Sequence, residues 1–216
     1  MRSWVIYALI FALVFTGGCS IKKEVDSKEL PNTEAFQDEF TRGFLDSTKE
    51  VEDGYYLFRS KTDGYTMLYP SNAKISEIPY EKNGKQFESV IFEENNRKKN
   101  YNYVFRTTYE TYGDALLETS LKILSRSVGY SGDFNELEFG DNKIYYAKTE
   151  QPIESENRKA TAYKFFSYIV STNTKKSIEY IYTAMCFDES TIECNIDPKI
   201  EEDKALKLMK SIEFNK

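Results

Sequence analysis

The sequence contains no histidine, so no mechanism with a histidine base, metal ligand or pH switch is open to it. It has one tryptophan, five prolines and three cysteines in 216 residues. Basic residues are outnumbered, 29 Lys and Arg against 35 Asp and Glu, for a net charge of −6. That balance argues against nucleic acid as a partner, because a duplex binder needs a basic face to release counterions. Short basic runs at Lys22-Lys23, Arg97-Lys98-Lys99 and Lys175-Lys176 read as solvated loop charge. Several signatures are missing: Gly-x-Ser-x-Gly, Gly-x-Gly-x-x-Gly, a phosphate-binding Gly-Lys-Ser/Thr loop and His-Glu-x-x-His. The expectation is a protein without catalysis, cofactor or metal.

What is present is a globular composition, 40% hydrophobic and 30% charged. The longest apolar run is Trp4–Phe15, preceded by Arg2. Twelve residues fall short of the ~20 that a membrane-crossing helix needs, so the run reads as the h-region of an export signal. It ends in Thr16-Gly17-Gly18-Cys19. Small residues before a cysteine at that place resemble the lipobox of bacterial lipoproteins, with Thr16 where leucine is commonest. The resemblance implies removal of a signal peptide, residues 1–18, and a lipid anchor on Cys19. It places the protein on the extracytoplasmic face of a bacterial cell membrane. Two or three acyl chains suffice for stable anchoring. Cleavage removes Arg2 and no acid, so the mature chain is one unit more negative than the whole.

With Cys19 lipidated, Cys186 and Cys194 remain, separated by a polar stretch. Outside the cytoplasm such a pair is expected to form a structural disulfide. The spacing is not that of a Cys-x-x-Cys redox site, and two cysteines without histidine make a poor zinc site.

Residues 19–32 are polar and read as a flexible tether. Residues 33–53 hold Phe36, Phe40 and Phe44, every fourth residue, which predicts an amphipathic helix and a connection. Residues 54–216 read as a single α+β domain. Strands are expected at Tyr65–Pro70, at Ile75–Tyr80 and Gln86–Glu93 around an Asn83-Gly84 turn, and at Tyr101–Glu110. Leu117, Leu121, Leu124 and Val128 form a helical stripe within 113–128, with Thr111 and Asp114 as a capping box and Gly129 as the stop. Further strands follow at Asn135–Phe139, Lys143–Lys148, Lys159–Ser171 and Ser177–Phe187. The last two are apolar on both faces, as central strands are. Asp197-Pro198 opens a final helix, with Ile200, Ala205, Leu208 and Met209 or Ile212 facing inward.

The order strands, helix, strands, helix predicts an antiparallel β-sheet with helices packed on it. The Gly64-Tyr65-x-Met67-x-Tyr69-Pro70 strand, the mid-chain helix, the long hairpin strands and the closing Lys210–Phe214 segment are similar to PsbP-type domains. That resemblance implies a sandwich used for binding and assembly roles, and it carries no site residue over.

Paired carboxylates could hydrolyse glycosides or hold calcium in principle: Glu93-Glu94, Glu136 with Glu138 near Asp133 and Asn135, Glu154 with Glu156, and Glu201-Glu202-Asp203. Their positions at strand ends and a helix start read as solvated. The notable bias is 17 tyrosines and 15 phenylalanines. Most serve cross-strand packing. Tyr101, Tyr103, Tyr109 and Tyr112 are the candidates for an exposed aromatic binding patch. The function expected is a lipid-anchored, non-catalytic binding or assembly-accessory module for an envelope protein. The alternative is a solute- or glycan-binding module using an aromatic surface.

Overall fold

Runs that alternate at period two become strands, and runs at period 3.6 become helices. The computed structural model describes residues 30–112, 116–155, 158–186, 193 and 196–216. In chain order these form α1 (Glu34–Gln37), α2 (Glu39–Arg42), β1 (Tyr55–Arg59), β2 (Tyr65–Pro70), β3 (Lys74–Ile75), β4 (Glu81–Asn83), β5 (Phe87–Asn96) and β6 (Tyr101–Glu110). Then come α3 (Leu117–Val128), β7 (Asn135–Phe139), β8 (Asn142–Ser155), β9 (Arg158–Ser171), β10 (Ser177–Met185), α4 (Pro198–Lys210) and β11 (Glu213–Phe214). None of the described helices is long and apolar enough to cross a membrane.

The main sheet has eight strands in the order β3-β5-β6-β10-β9-β8-β7, with β4 also paired to β5. A small sheet runs β1-β2-β11. Neighbouring strands pair antiparallel throughout. The fold is therefore the expected α+β class, with β9 and β10 inside the main sheet.

The principal core fills the space between the main sheet, the small sheet and α4. Its axis is a row of aromatic rings in register. Phe92 faces Phe105, Phe105 faces Tyr182, and Tyr182 faces Phe165. Their ring centres are 4.6, 4.5 and 5.8 Å apart. Tyr69 extends the row to the small sheet, 5.0 Å from Phe92. Directly opposed aromatics stabilise a cross-strand pairing, so this row favours one register across four strands.

A second core lies on the other face of the main sheet. There Leu124 and Val128 of α3 pack on Ala147, Phe166, Tyr168, Val170 and Ile181. Gly129 ends α3 in the left-handed region, φ 71°, and the Tyr130 N–H donates to the Ser125 carbonyl at 2.8 Å. The expected Thr111–Asp114 box does not cap α3. Its N-cap is Leu116, without a side-chain bond, and Asp114 lies outside the described residues.

The continuous helix expected over the phenylalanine stripe is broken. Asp38 is extended, φ −88° and ψ 120°, and separates α1 from α2. Its carboxylate accepts from the Thr41 N–H at 2.8 Å and the Thr41 hydroxyl at 2.7 Å, so it caps α2. Breaking the helix lets both ends reach the core: Phe36 packs on Tyr56 and Phe44 stacks on Phe58. Leu30 also packs against this core.

The Asn83-Gly84 turn is present, with Gly84 at φ 53°. Its first arm is only β4, and β3 pairs with the far end of β5 instead. The helix phase expected for α4 is also corrected. Ile200 is 64% exposed and Glu201 is 6% exposed. Ala205, Leu208, Met209 and Ile212 are buried, and four residues back from Ala205 is Glu201, not Ile200.

Candidate functional site

Strand β6 carries three of the four tyrosines singled out, and they do not form one exposed patch. Tyr101 and Tyr103 stack at one end, ring centres 4.3 Å apart. Tyr109 is buried at the other end, stacked on Tyr65. It fills the space that only a glycine at position 64 leaves open, since a Cβ there would collide with the Tyr109 ring. Tyr112 follows the strand and is 63% exposed. The alternation put Tyr101, Tyr103 and Tyr109 on one face correctly, but that face is the core side.

The paired end of β6 lies under α4 and holds a polar cluster inside the core. The Tyr103 hydroxyl donates to Glu201 Oε1 at 2.7 Å, and the Tyr182 hydroxyl donates to Glu201 Oε2. Lys204, one turn on, pairs with Glu94 at 3.1 Å, and Tyr101 donates to the other oxygen of Glu94 at 3.2 Å. The Lys204 ammonium sits 4.0 Å from the centre of the Tyr103 ring. Burial, then the facing Glu201 charge, pushes the Tyr103 and Tyr182 hydroxyls well above the ordinary tyrosine range. Beside them Tyr146 and Lys148 donate to Glu202 at 2.9 and 2.7 Å. Burial would raise the Glu202 carboxyl, but these donors outweigh it and hold it below its usual range.

These contacts hold α4 to the sheet. The four polar hooks Glu201, Glu202, Lys204 and Lys207 all bond within the fold; Lys207 pairs with Glu52 at 2.5 Å. Glu136, weighed for calcium, pairs with Lys143 at 2.5 Å. Among the described residues no group of three or more acidic or cysteine side chains could hold a metal. Glu154 and Glu156 lie outside what can be described for side chains.

A second buried carboxylate escaped the sequence reading. Glu88 of β5 is fully buried and accepts from the Lys61 N–H at 2.8 Å and the Tyr80 hydroxyl at 3.0 Å. Burial pushes it above its usual range despite those donors. Its alternation with Val90 and Phe92 on the core face of β5 was the available signal.

Two further apolar side chains are exposed at the start of α3 and within it. Leu116 and Ile123 are both exposed, seven residues apart and so on one flank of the helix. Cys186 is buried at the end of β10. Cys19, the signal peptide, nearly all of the tether and Cys194 lie outside the described residues.

An antiparallel α+β fold behind a run that reads as an export signal, ending in a lipobox-like cysteine, fits the class of extracytoplasmic lipoproteins of bacteria. The comparisons agree: residues 31–213 match the family described as "Putative lipoprotein YvcA", and the chain belongs to that family. A Bacillus subtilis (strain 168) protein carrying the same description is 32% identical over 233 residues, covering 98% of this chain and 95% of the relative. Membrane association through a lipid anchor follows from that class. No solved structure matches the chain, and the likeness to PsbP-type domains rests on element order and short motifs.

Proposed function

We propose that the protein is anchored through Cys19 on the extracytoplasmic face of the cell membrane and acts there as a non-catalytic binding module for an envelope protein. Family membership supports the lipoprotein part. The partner part rests on one observation: Leu116 and Ile123 are exposed seven residues apart, on one flank of α3. An apolar group in water is retained at a cost, and grouped apolar residues mark interaction surfaces more than isolated ones do. The hooks of α4, by contrast, bond within the fold and support a holding role. A sandwich of the PsbP kind, proposed on element order, is consistent with binding and assembly work.

The test is photo-cross-linking in living cells from a reactive residue placed at the exposed Thr119, between Leu116 and Ile123 on α3 of the full-length protein. One reproducible envelope protein is expected, lost in Ile123→Asp and in Cys19→Ala. The Ile123→Asp chain should melt as the parent does, because that side chain packs in neither core. Equal capture with Ile123→Asp, or none above background, overturns the reading.

A further inference from the structure

Phe139, the last residue of β7, is 51% exposed and packs in neither core. It stands between two adjoining clefts. One, of about 360 Å³, is bounded by the Gly140-Asp141 turn, the Asn173-Thr174 turn, Lys210 and Glu213. The other, of about 470 Å³, runs past Leu57 and Leu68 and shares Phe139, Lys210 and Glu213. The ring therefore forms a platform between two clefts that both mix polar and apolar groups, with Leu57 and Leu68 adding apolar surface in the second.

We infer that this double cleft is a binding site for an uncharged oligosaccharide that crosses the Phe139 ring from one cleft to the other. An exposed aromatic face offers an apolar surface to the C–H groups of a sugar ring. The hydroxyls of that ring need donors and acceptors in mixture, and the first cleft supplies both. Asn173 and Thr174 can do either, Lys210 and Lys216 donate, and Asp141 and Glu213 accept. In the first cleft two cations face two anions, and in the second Lys207 is neutralised by its ion pair with Glu52, so the lining has no net charge to select an ion. That balance favours a polyhydroxylated neutral ligand over a phosphate or a carboxylate. The combined space lies within the ordinary range for small-ligand sites.

The walls are preorganised, which lowers the cost of binding. The Asp141 carbonyl accepts from the Thr172 N–H at 2.8 Å and from its hydroxyl at 3.0 Å. Asn142 donates to the Ile212 carbonyl at 2.6 Å. The Asn173 and Thr174 N–H groups donate to the Ser171 hydroxyl at 3.3 and 3.1 Å. Lys210 lies 5.9 Å from the Phe139 ring centre and forms no ion pair among the described residues. This site is independent of the partner surface on α3, and either can fail alone.

The experiment is saturation-transfer NMR on the full-length protein in lipid nanodiscs. The probes are maltotriose, cellotriose and tri-N-acetylchitotriose, with trigalacturonate and triglutamate as anionic comparisons. Saturation of at least one neutral trisaccharide at millimolar concentration is expected. Phe139→Ala should weaken it about tenfold, and Phe139→Trp should retain it. Both variants should melt with the parent, since the ring packs in neither core. No saturation with any neutral probe overturns the inference. So does binding unchanged in Phe139→Ala, or a preference for the anionic probes.

Discussion

The Tyr103 hydroxyl donates a 2.7 Å hydrogen bond to Glu201, tying β6 to α4 across 98 positions of the chain. Tyr182 donates to the same carboxylate from the next strand. A charge placed inside an aromatic core is tolerable because both of its oxygens are satisfied. Glu201→Ala leaves two buried hydroxyls without their acceptor and should cost about 3 kcal/mol. Glu201→Gln keeps one acceptor and should cost clearly less. Urea unfolding checks both, and equal midpoints for Ala and the parent would refute the assignment.

Tyr109 and Tyr112 should part company under one substitution. Tyr109→Ser removes a buried ring stacked on Tyr65 and should cost about 3–5 kcal/mol. Tyr112→Ser touches an exposed side chain and should stay within about 0.5 kcal/mol. Gly64→Ala should resemble the Tyr109 change, because the added methyl meets the same ring. Thermal melts of the three variants test this.

Glu88 makes the stability depend on pH in a stated sense. Its folded carboxyl is held above the ordinary value of 4.5 by burial. The folded state therefore prefers the protonated form. The stability that Glu88 contributes is complete below 4.5 and is lost as pH rises through its folded value. Glu88→Gln keeps an acceptor for Lys61 and Tyr80 and removes the charge. It should melt above the parent at pH 7, with the gap closing as the pH falls toward 4. A constant gap across that range would show that titration of Glu88 is not the cause.

The Cys186–Cys194 bridge is proposed on compartment and spacing. Mature protein purified without reductant should titrate with no free thiol. A loop this short stabilises by about 2–3 kcal/mol on the chain-entropy argument. Reduction, or Cys186→Ser with Cys194→Ser, should lower the melting temperature by about 4–12 °C. Two thiols in the unreduced protein would end the idea.

Most of the architecture was legible because period and punctuation agree along this chain. Tyr101–Glu110 alternates without a break and forms β6 over the same residues. The Leu117–Val128 stripe meets a glycine at the right place and becomes α3. The failures have physical causes. Asp38 offers the backbone a cap in mid-stripe, so the Phe36–Phe44 helix divides in two. In α4 hydrophobicity favoured Ile200 as the inward residue, whereas the buried position is a glutamate held by two tyrosines. A polar residue on an apolar stripe is the trace such a cluster leaves in sequence. The tyrosine patch was misplaced for a related reason: alternation finds the face, but only the opposing layer decides whether that face is wet. Phe139 had no signal, since one aromatic at a strand end reads as packing.

Leu30 is pressed against the principal core. With Cys19 as the proposed anchor, ten residues lie between the lipidated cysteine and Leu30. Fully drawn out, they reach no more than about 40 Å. On that anchor the domain can stand no further from the bilayer than this length allows, and a partner must come within it to be met. Inside it, the confinement makes each encounter resemble one at about millimolar concentration. A modest apolar surface is then enough to hold a neighbour that shares the membrane, while a protein passing freely in solution gains nothing from the tether.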